Sequence, residues 1–186
     1  MKKYLIRTGT SVFLLFLMLT WNGCDSFNSL PLNIPFTLNV HVTGSDNTIS
    51  NSSPLYCLNT DSQTYTEYRD KINSLHFVEA AYRTKNVFPQ ELSGNITVAL
   101  QDGDGNSLFS YTIQGANPAD YMAPNSPYIL QLTQQQIDFI NTHLNSLLNS
   151  GACFTAVITV DNISGGNPPY SVDGAIDMVI EADTDL

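Results

Sequence analysis

Basic residues are scarce in this chain: 7 Lys+Arg stand against 17 Asp+Glu in 186 residues, a formal net charge of −10. A nucleic-acid-binding face needs clustered Lys and Arg to neutralise phosphates, so that class of partner is excluded. Charge of either sign is thin, at 13% of residues, while 42% are hydrophobic. Disordered chains show the opposite balance. Cysteine occurs only at Cys24, Cys57 and Cys153, never as Cys-x-x-Cys, which removes zinc-finger and dithiol redox motifs. Gly-x-Ser-x-Gly, Ser-x-x-Lys and His-Glu-x-x-His are missing too, and with them the best-marked hydrolase and metalloprotease signatures.

Long hydrophobic runs are also rare. The clearest is Val12 to Leu19, preceded by the basic Met1-Lys2-Lys3-Tyr4-Leu5-Ile6-Arg7 and closed by Trp21-Asn22-Gly23-Cys24. A basic start, a short apolar stretch and a small residue before a cut make a secretory signal. The run is too short to span a bilayer, which takes about 20 apolar residues. Residues 1–24 resemble a bacterial lipoprotein signal peptide, on Gly23-Cys24. The resemblance implies removal of residues 1–23 and lipidation of Cys24 as the new N-terminus. Ordinary signal peptidase cleavage is the competing reading, and it wants a small residue where Trp21 stands. Losing Lys2, Lys3 and Arg7 would leave four basic residues and a net charge of −13.

Residues 24–32 are polar and Pro-punctuated and read as a tether. The domain is expected over 33–186. Outside the cytoplasm Cys57 and Cys153 are expected to form a disulfide; two separate buried thiols are the alternative.

Ile34, Phe36, Leu38, Val40 and Val42 alternate with polar or small neighbours, the mark of a strand with one buried face. Asp61 reads as the N-cap of a short helix carrying Tyr65, Tyr68, Ile72 and Leu75 on one face, with a strand following near Leu75. Asn95–Leu100 and Ser107–Ile113 flank Asp102-Gly103-Asp104-Gly105-Asn106 and read as a hairpin. Residues 114–132 hold Pro118, Pro124 and Pro127 and read as a long connection. Thr133 and Gln136 form a capping box for a helix with Ile137, Ile140, Leu144, Leu147 and Leu148 on one stripe and Gly151 after its end. Runs 152–160 and 171–181 close the chain as strands. The acidic outer residues of the last strand read as a device against edge pairing. The pattern predicts a mainly β fold: an antiparallel β-sandwich, immunoglobulin-like or related, mostly meander-connected, with two short helical insertions. It resembles the sandwich domains of uncharacterised bacterial lipoproteins.

Candidate sites are sparse. Asp102, Asp104 and Asn106 offer alternating oxygens, as calcium loops do, although Ser107 and Ile113 stand where an EF-hand wants Gly and Glu. A tight hairpin needs the same Asp-Gly residues. Tyr121, Met122, Tyr128 and Tyr170 lie in Pro-rich loops and could rim a glycan or peptide site, or fold back to plug the sandwich. His41, His76 and His143 show no metal spacing. Arg69, Lys71, Arg83 and Lys85 form either an anion patch or local pairs with Glu67, Asp70 and Glu79. Together these features predict a lipid-anchored, extracytoplasmic protein of the bacterial cell envelope, held to a membrane by its N-terminal lipid. Its role is read as non-catalytic binding of a protein, glycan or small molecule, or as structural, with no cofactor beyond calcium. A carrier of an apolar ligand and a hydrolase with paired carboxylates are the alternatives.

Overall fold

The computed structural model describes residues 29–185. The expected signal segment, Cys24 and the first part of the tether lie outside the described residues. Along the chain run β1 (Ser29–Gly44), β2 (Ile49–Ser52), β3 (Tyr56–Cys57), α1 (Leu58–Asp61), α2 (Gln63–Tyr68), β4 (Ile72–Phe88), β5 (Ser93–Asp102) and β6 (Ser107–Ala116). They are followed by β7 (Tyr128–Ile129), α3 (Gln134–Ser146), β8 (Cys153–Ser164) and β9 (Tyr170–Asp185). One correction follows at once. Residues 29–32 are strand, not tether: Leu30 and Leu32 extend the β1 alternation and pair with Thr184 and Ala182. Pro31 and Pro35 are tolerated because β1 is an edge strand.

Two antiparallel sheets face each other. The first has the order β1-β9-β4-β7 and the second β2-β8-β5-β6, with β3 also pairing β8. The antiparallel sandwich with helical insertions is therefore what the chain forms. Its connections are not meanders, however. Only β5 and β6 are neighbours both in sequence and in a sheet. Apart from the step from β2 to β3 along β8, the chain elsewhere crosses between sheets, and this strand order is the double Greek key of a jelly roll. The crossings need tight corners. Gly165, between β8 and β9, has φ +77°, and a Cβ there would collide with the Glu91 carbonyl.

The inward residues of both sheets fill the space between them. Phe36, Leu38 and Val40 from β1 and Ile176, Met178 and Ile180 from β9 meet Val98 and Leu100 from β5 and Phe154 and Ile158 from β8. Buried polar residues among those described are Ser53, Ser62, Thr84 and Thr184. At Gly174 the sheets touch so closely that a Cβ would run into Ile158 Cδ1. The mid-plane of the sandwich is filled with side chains, in the manner of a close-packed core.

The first helical insertion departs from expectation. Ser62, not Asp61, caps α2, accepting the Tyr65 N–H at 3.2 Å. Tyr65 is buried with its hydroxyl donating to the Leu148 carbonyl, whereas Tyr68 is exposed. Ile72 and Leu75 already belong to β4. Their spacing of three reflects a register shift at Asn73, where an extra residue interrupts the alternation. A bulged strand thus imitated a helical stripe. The second insertion follows its capping signals. Thr133 and Gln136 satisfy each other's backbone groups in a capping box, and Ile140 and Leu144 are buried. After Ser146 the chain unwinds, and the Gly151 N–H donates to the Leu147 carbonyl at 2.8 Å.

Candidate functional site

The loop aromatics form a seam along one long edge of the sandwich. Tyr82 and Thr84 belong to β4 in the first sheet, and Tyr111 belongs to β6 in the second. Tyr121 lies in a 3-10 turn, Pro118–Tyr121, and packs edge-on against Tyr82 with ring centroids 5.8 Å apart. It also packs edge-on against Tyr128 at 5.6 Å. The Tyr128 hydroxyl meets the Tyr111 hydroxyl at 3.1 Å, completing a path of rings from sheet to sheet. Met122 forms a single β-bridge to Thr84. Thr84 donates to the buried Tyr82 hydroxyl at 2.9 Å, and burial pushes the Tyr82 pKa up to about 12. Burial raises Tyr121 as well; for Tyr111 the hydrogen bond with Tyr128 is the larger cause. Tyr121, Met122 and Tyr128 are thus brought to one seam, with Tyr121 edge-on to the rings of Tyr82 and Tyr128 and Met122 bridged to Thr84. Tyr170 is not among them. It sits at the start of β9, opposite Gly44.

The turn after β5 is held by its own carboxylate. Asp102 Oδ1 accepts from the N–H groups of Asp104 at 2.9 Å and Asn106 at 2.8 Å, and Oδ2 accepts from Asn106 Nδ2 at 2.9 Å. The Asn106 side-chain bond, with the backbone bonds behind it, lowers the Asp102 pKa. The Asp102 carboxylate is therefore engaged by the turn's own donors, Asn106 among them. No group of three or more His, Cys, Asp or Glu with metal-binding geometry occurs among the described residues.

Cys57 and Cys153 form a disulfide and stand directly opposite each other in the β3–β8 pair. It ties the segment leading into α1 to the start of β8. The three histidines go different ways. His41 contacts Asp173, and His76 contacts Asp183 at 3.1 Å. His143 packs edge-on against Phe154 with its Nε2 buried and unpartnered among the described residues.

The outer face of the first sheet carries a network that the sequence reading missed. Four carboxylates on β9, Asp173, Asp177, Asp183 and Asp185, are held from a neighbouring strand. Asp177 receives Arg83 Nε at 3.0 Å and Nη2 at 2.9 Å from β4, and Thr37 Oγ1 at 2.7 Å from β1. Asp183 receives Ser74 at 2.7 Å, and Asp185 receives Asn73 at 2.6 Å. Burial pushes Asp177 up, but hydrogen bonds from Arg83 and Thr37 and the charges of Arg83 and Lys85 outweigh it, so its pKa falls. The Ser74 hydrogen bond is the largest cause lowering Asp183, with His76 adding to it. The acidic face of the last strand is therefore no edge device. β9 lies between β1 and β4, and its carboxylates are offset across both seams. Three of the four cations at 69–85 have separate partners. Arg83 pairs with Asp177, Lys85 donates to Asn39, and Arg69 lies 3.6 Å from Asp70. The signal was present in the strict alternation of Asp173, Asp177 and Glu181 with apolar residues, but not the identity of the neighbouring strands.

The free edges complete the surface. On the outer side of β4, α3 supplies a substitute strand. Phe77 N–H donates to Asn141 Oδ1 at 2.7 Å. Asn145 accepts from Leu75 N–H at 3.0 Å and donates to the Leu75 carbonyl at 2.7 Å, pairing as a backbone peptide would. On β6 the Ser110 carbonyl accepts from Gln136 Nε2 at 3.2 Å.

No family model matches the chain, and no curated protein matches it by sequence. Solved structures do. A chain of Desmodium yellow mottle tymovirus is similar with a TM-score of 0.38 and 9% identity, over 87% of this chain and 91% of that one. A chain of mud crab tombus-like virus gives 0.37 and 11%, over 93% and 98%. A chain of Macrobrachium rosenbergii nodavirus gives 0.39 and 11%, over 88% and 55%. The similar chains are viral, so these similarities do not bear out the expected lipid-anchored protein of the bacterial cell envelope. At such scores the likeness is one of two-sheet architecture, and it supplies no function in place of the one removed.

Proposed function

We propose that the chain is a non-enzymatic structural domain that works through contacts of its outer surface with other protein. The carrying observation is the filled interior, where Gly174 and Ile158 close the mid-plane and the tyrosine seam closes the long edge. Jelly rolls serve as shell subunits, as lectins and as cupins, so the strand order by itself selects none of these. A cupin-type site needs ligands inside the barrel, where this chain has aliphatic and aromatic side chains. Acid catalysis by a carboxylate needs a pKa held up towards neutrality. Asp102, Asp177 and Asp183 are all held down by hydrogen bonds to neighbouring side chains.

Cross-linking, analytical ultracentrifugation and negative-stain microscopy of the full chain test this reading. Assembly into dimers or larger bodies is the expected result. A chain that stays monomeric, while a small molecule bound beside Tyr82 shifts its melting temperature, overturns it.

A further inference from the structure

The start of β4 and the end of β9 place four polar side chains together on the outer face of the first sheet. Leu75 and Ala182 are fully buried, so alternation turns Ser74, His76, Glu181 and Asp183 outward. The register sets Ser74 opposite Asp183 and His76 opposite Glu181. Three of their polar atoms close a triangle. Ser74 Oγ lies 2.7 Å from Asp183 Oδ2 and 3.0 Å from His76 Nε2, and His76 Nε2 lies 3.1 Å from the same Oδ2. Strand pairing, not sequence spacing, brings the third atom in.

This triangle has more lone pairs than protons. The serine hydroxyl carries one hydrogen, which it donates to Asp183 Oδ2. In the imidazole tautomer that is bare at Nε2, that nitrogen and Oδ2 face each other as two acceptors at 3.1 Å. A cation between them, either a proton or a metal ion, relieves the approach. An ion held octahedrally at about 2.1 Å from each donor sets neighbouring donors about 3.0 Å apart. A simple hydrogen-bonded chain meets that spacing along two edges; here the third edge is closed as well. The side chains of His76 and Asp183 are 47% and 43% exposed, so water can complete the coordination. Glu181 and Asp185 lie on either side of Asp183 along β9 and make the surroundings anionic. The first cation along β4, Arg83, is engaged by Asp177.

We propose that Ser74, His76 and Asp183 form a surface site for a late first-row divalent cation such as nickel, copper or zinc. The imidazole nitrogen favours these ions over magnesium and calcium, which take oxygen ligands. Two of the donors are a histidine and a carboxylate and the third is a hydroxyl. The site is therefore an open, three-donor one, unlike the closed four-ligand sites that hold structural zinc. The other histidine–carboxylate contact on this face supplies the comparison. His41 touches Asp173 across the β1–β9 seam as a pair, with no third donor closing a triangle among the described residues. A bound ion would clamp β4 to β9 beside the bulge at Asn73. The site stands apart from the surface-contact reading above, and either can fail without the other.

Calorimetric titration of the tag-free full chain with nickel chloride tests the site, in a Cys24→Ser background that removes the thiol outside the disulfide. One saturable site is expected. His76→Gln and Asp183→Asn should each weaken it at least about tenfold, and Ser74→Ala by less, while His41→Gln leaves it unchanged. Circular dichroism of each variant without nickel shows whether its fold is kept. Copper gives a readout that needs no variant at the site. The paramagnetic resonance spectrum of the copper-loaded protein should show coupling to one imidazole nitrogen, and copper should broaden the His76 ring resonances before those of His41 and His143. Absence of saturable nickel binding overturns the proposal. So does binding that survives both His76→Gln and Asp183→Asn, a copper spectrum without nitrogen coupling, or broadening that reaches His41 or His143 first.

Discussion

The Tyr82–Thr84 pair offers the sharpest test of how the tyrosine seam is held. Both residues are buried, and the Thr84 hydroxyl donates to the Tyr82 hydroxyl at 2.9 Å. Tyr82→Phe removes the acceptor and leaves the threonine hydroxyl in an apolar site. That costs the desolvation of an unpaired group, about 1–3 kcal/mol, rather than the smaller net worth of one hydrogen bond. Thr84→Val removes the donor at nearly constant shape and strands the phenol at a similar cost. The double variant strands neither group. It should be no less stable than the worse single variant, giving a coupling energy of about 1–2 kcal/mol. For a domain of this size each kcal/mol moves the melting temperature by about 2–4 °C. Urea unfolding followed by circular dichroism on all four proteins measures the cycle. If the two single costs simply add in the double variant, the hydroxyls are not partners and the seam is held by ring packing alone.

Asp102, Asp177 and Asp183 have folded-state pKa values below the ordinary 3.8, so they favour the unfolded state as acid is added. Their contribution is complete above that ordinary value and is lost as the pH falls through the lowered ones. The urea midpoint should therefore drop below about pH 4, and Arg83→Met should flatten that drop; an unchanged slope would mean that the Arg83–Asp177 pair contributes nothing. Asn145→Leu unpairs both backbone groups of Leu75 at the edge of β4 and should cost about 1–3 kcal/mol. Hydrogen exchange should quicken at Leu75 while Phe77, held by Asn141, keeps its protection; equal rates at both would show that α3 guards the edge as a body rather than through single side chains.

Local features were legible in the sequence and partnerships were not. The β5–β6 hairpin is bounded by Asp-Gly residues whose turn closes within a few positions, so its pairing was decided locally. The Thr133–Gln136 box is equally local and formed as read. The Cys57–Cys153 disulfide is present as expected, although that expectation rested on an extracytoplasmic address read from residues outside those described. By contrast, β9 alternates in the same way whether it sits at an edge or in the middle, and only the order β1-β9-β4 explains what its carboxylates do. Ile72 and Leu75 misled for a different reason. A bulge at Asn73 adds one residue to a period of two, and a spacing of three is also a helical spacing. The Ser74–His76–Asp183 triangle left no motif at all, because its third donor comes from another strand.

The central place of β9 also fixes the order in which the molecule can be completed. Synthesis delivers β1 and β4 well before β9, yet those two strands do not pair with each other and meet only through it. Until β9 has left the ribosome, the first sheet has no middle strand to join β1 to β4. Contacts of such long sequence separation make folding slow. A chain cut short before Tyr170 would bare the edges of β1 and β4 that face β9, and would be a substrate for chaperones and proteases rather than a smaller version of the same domain.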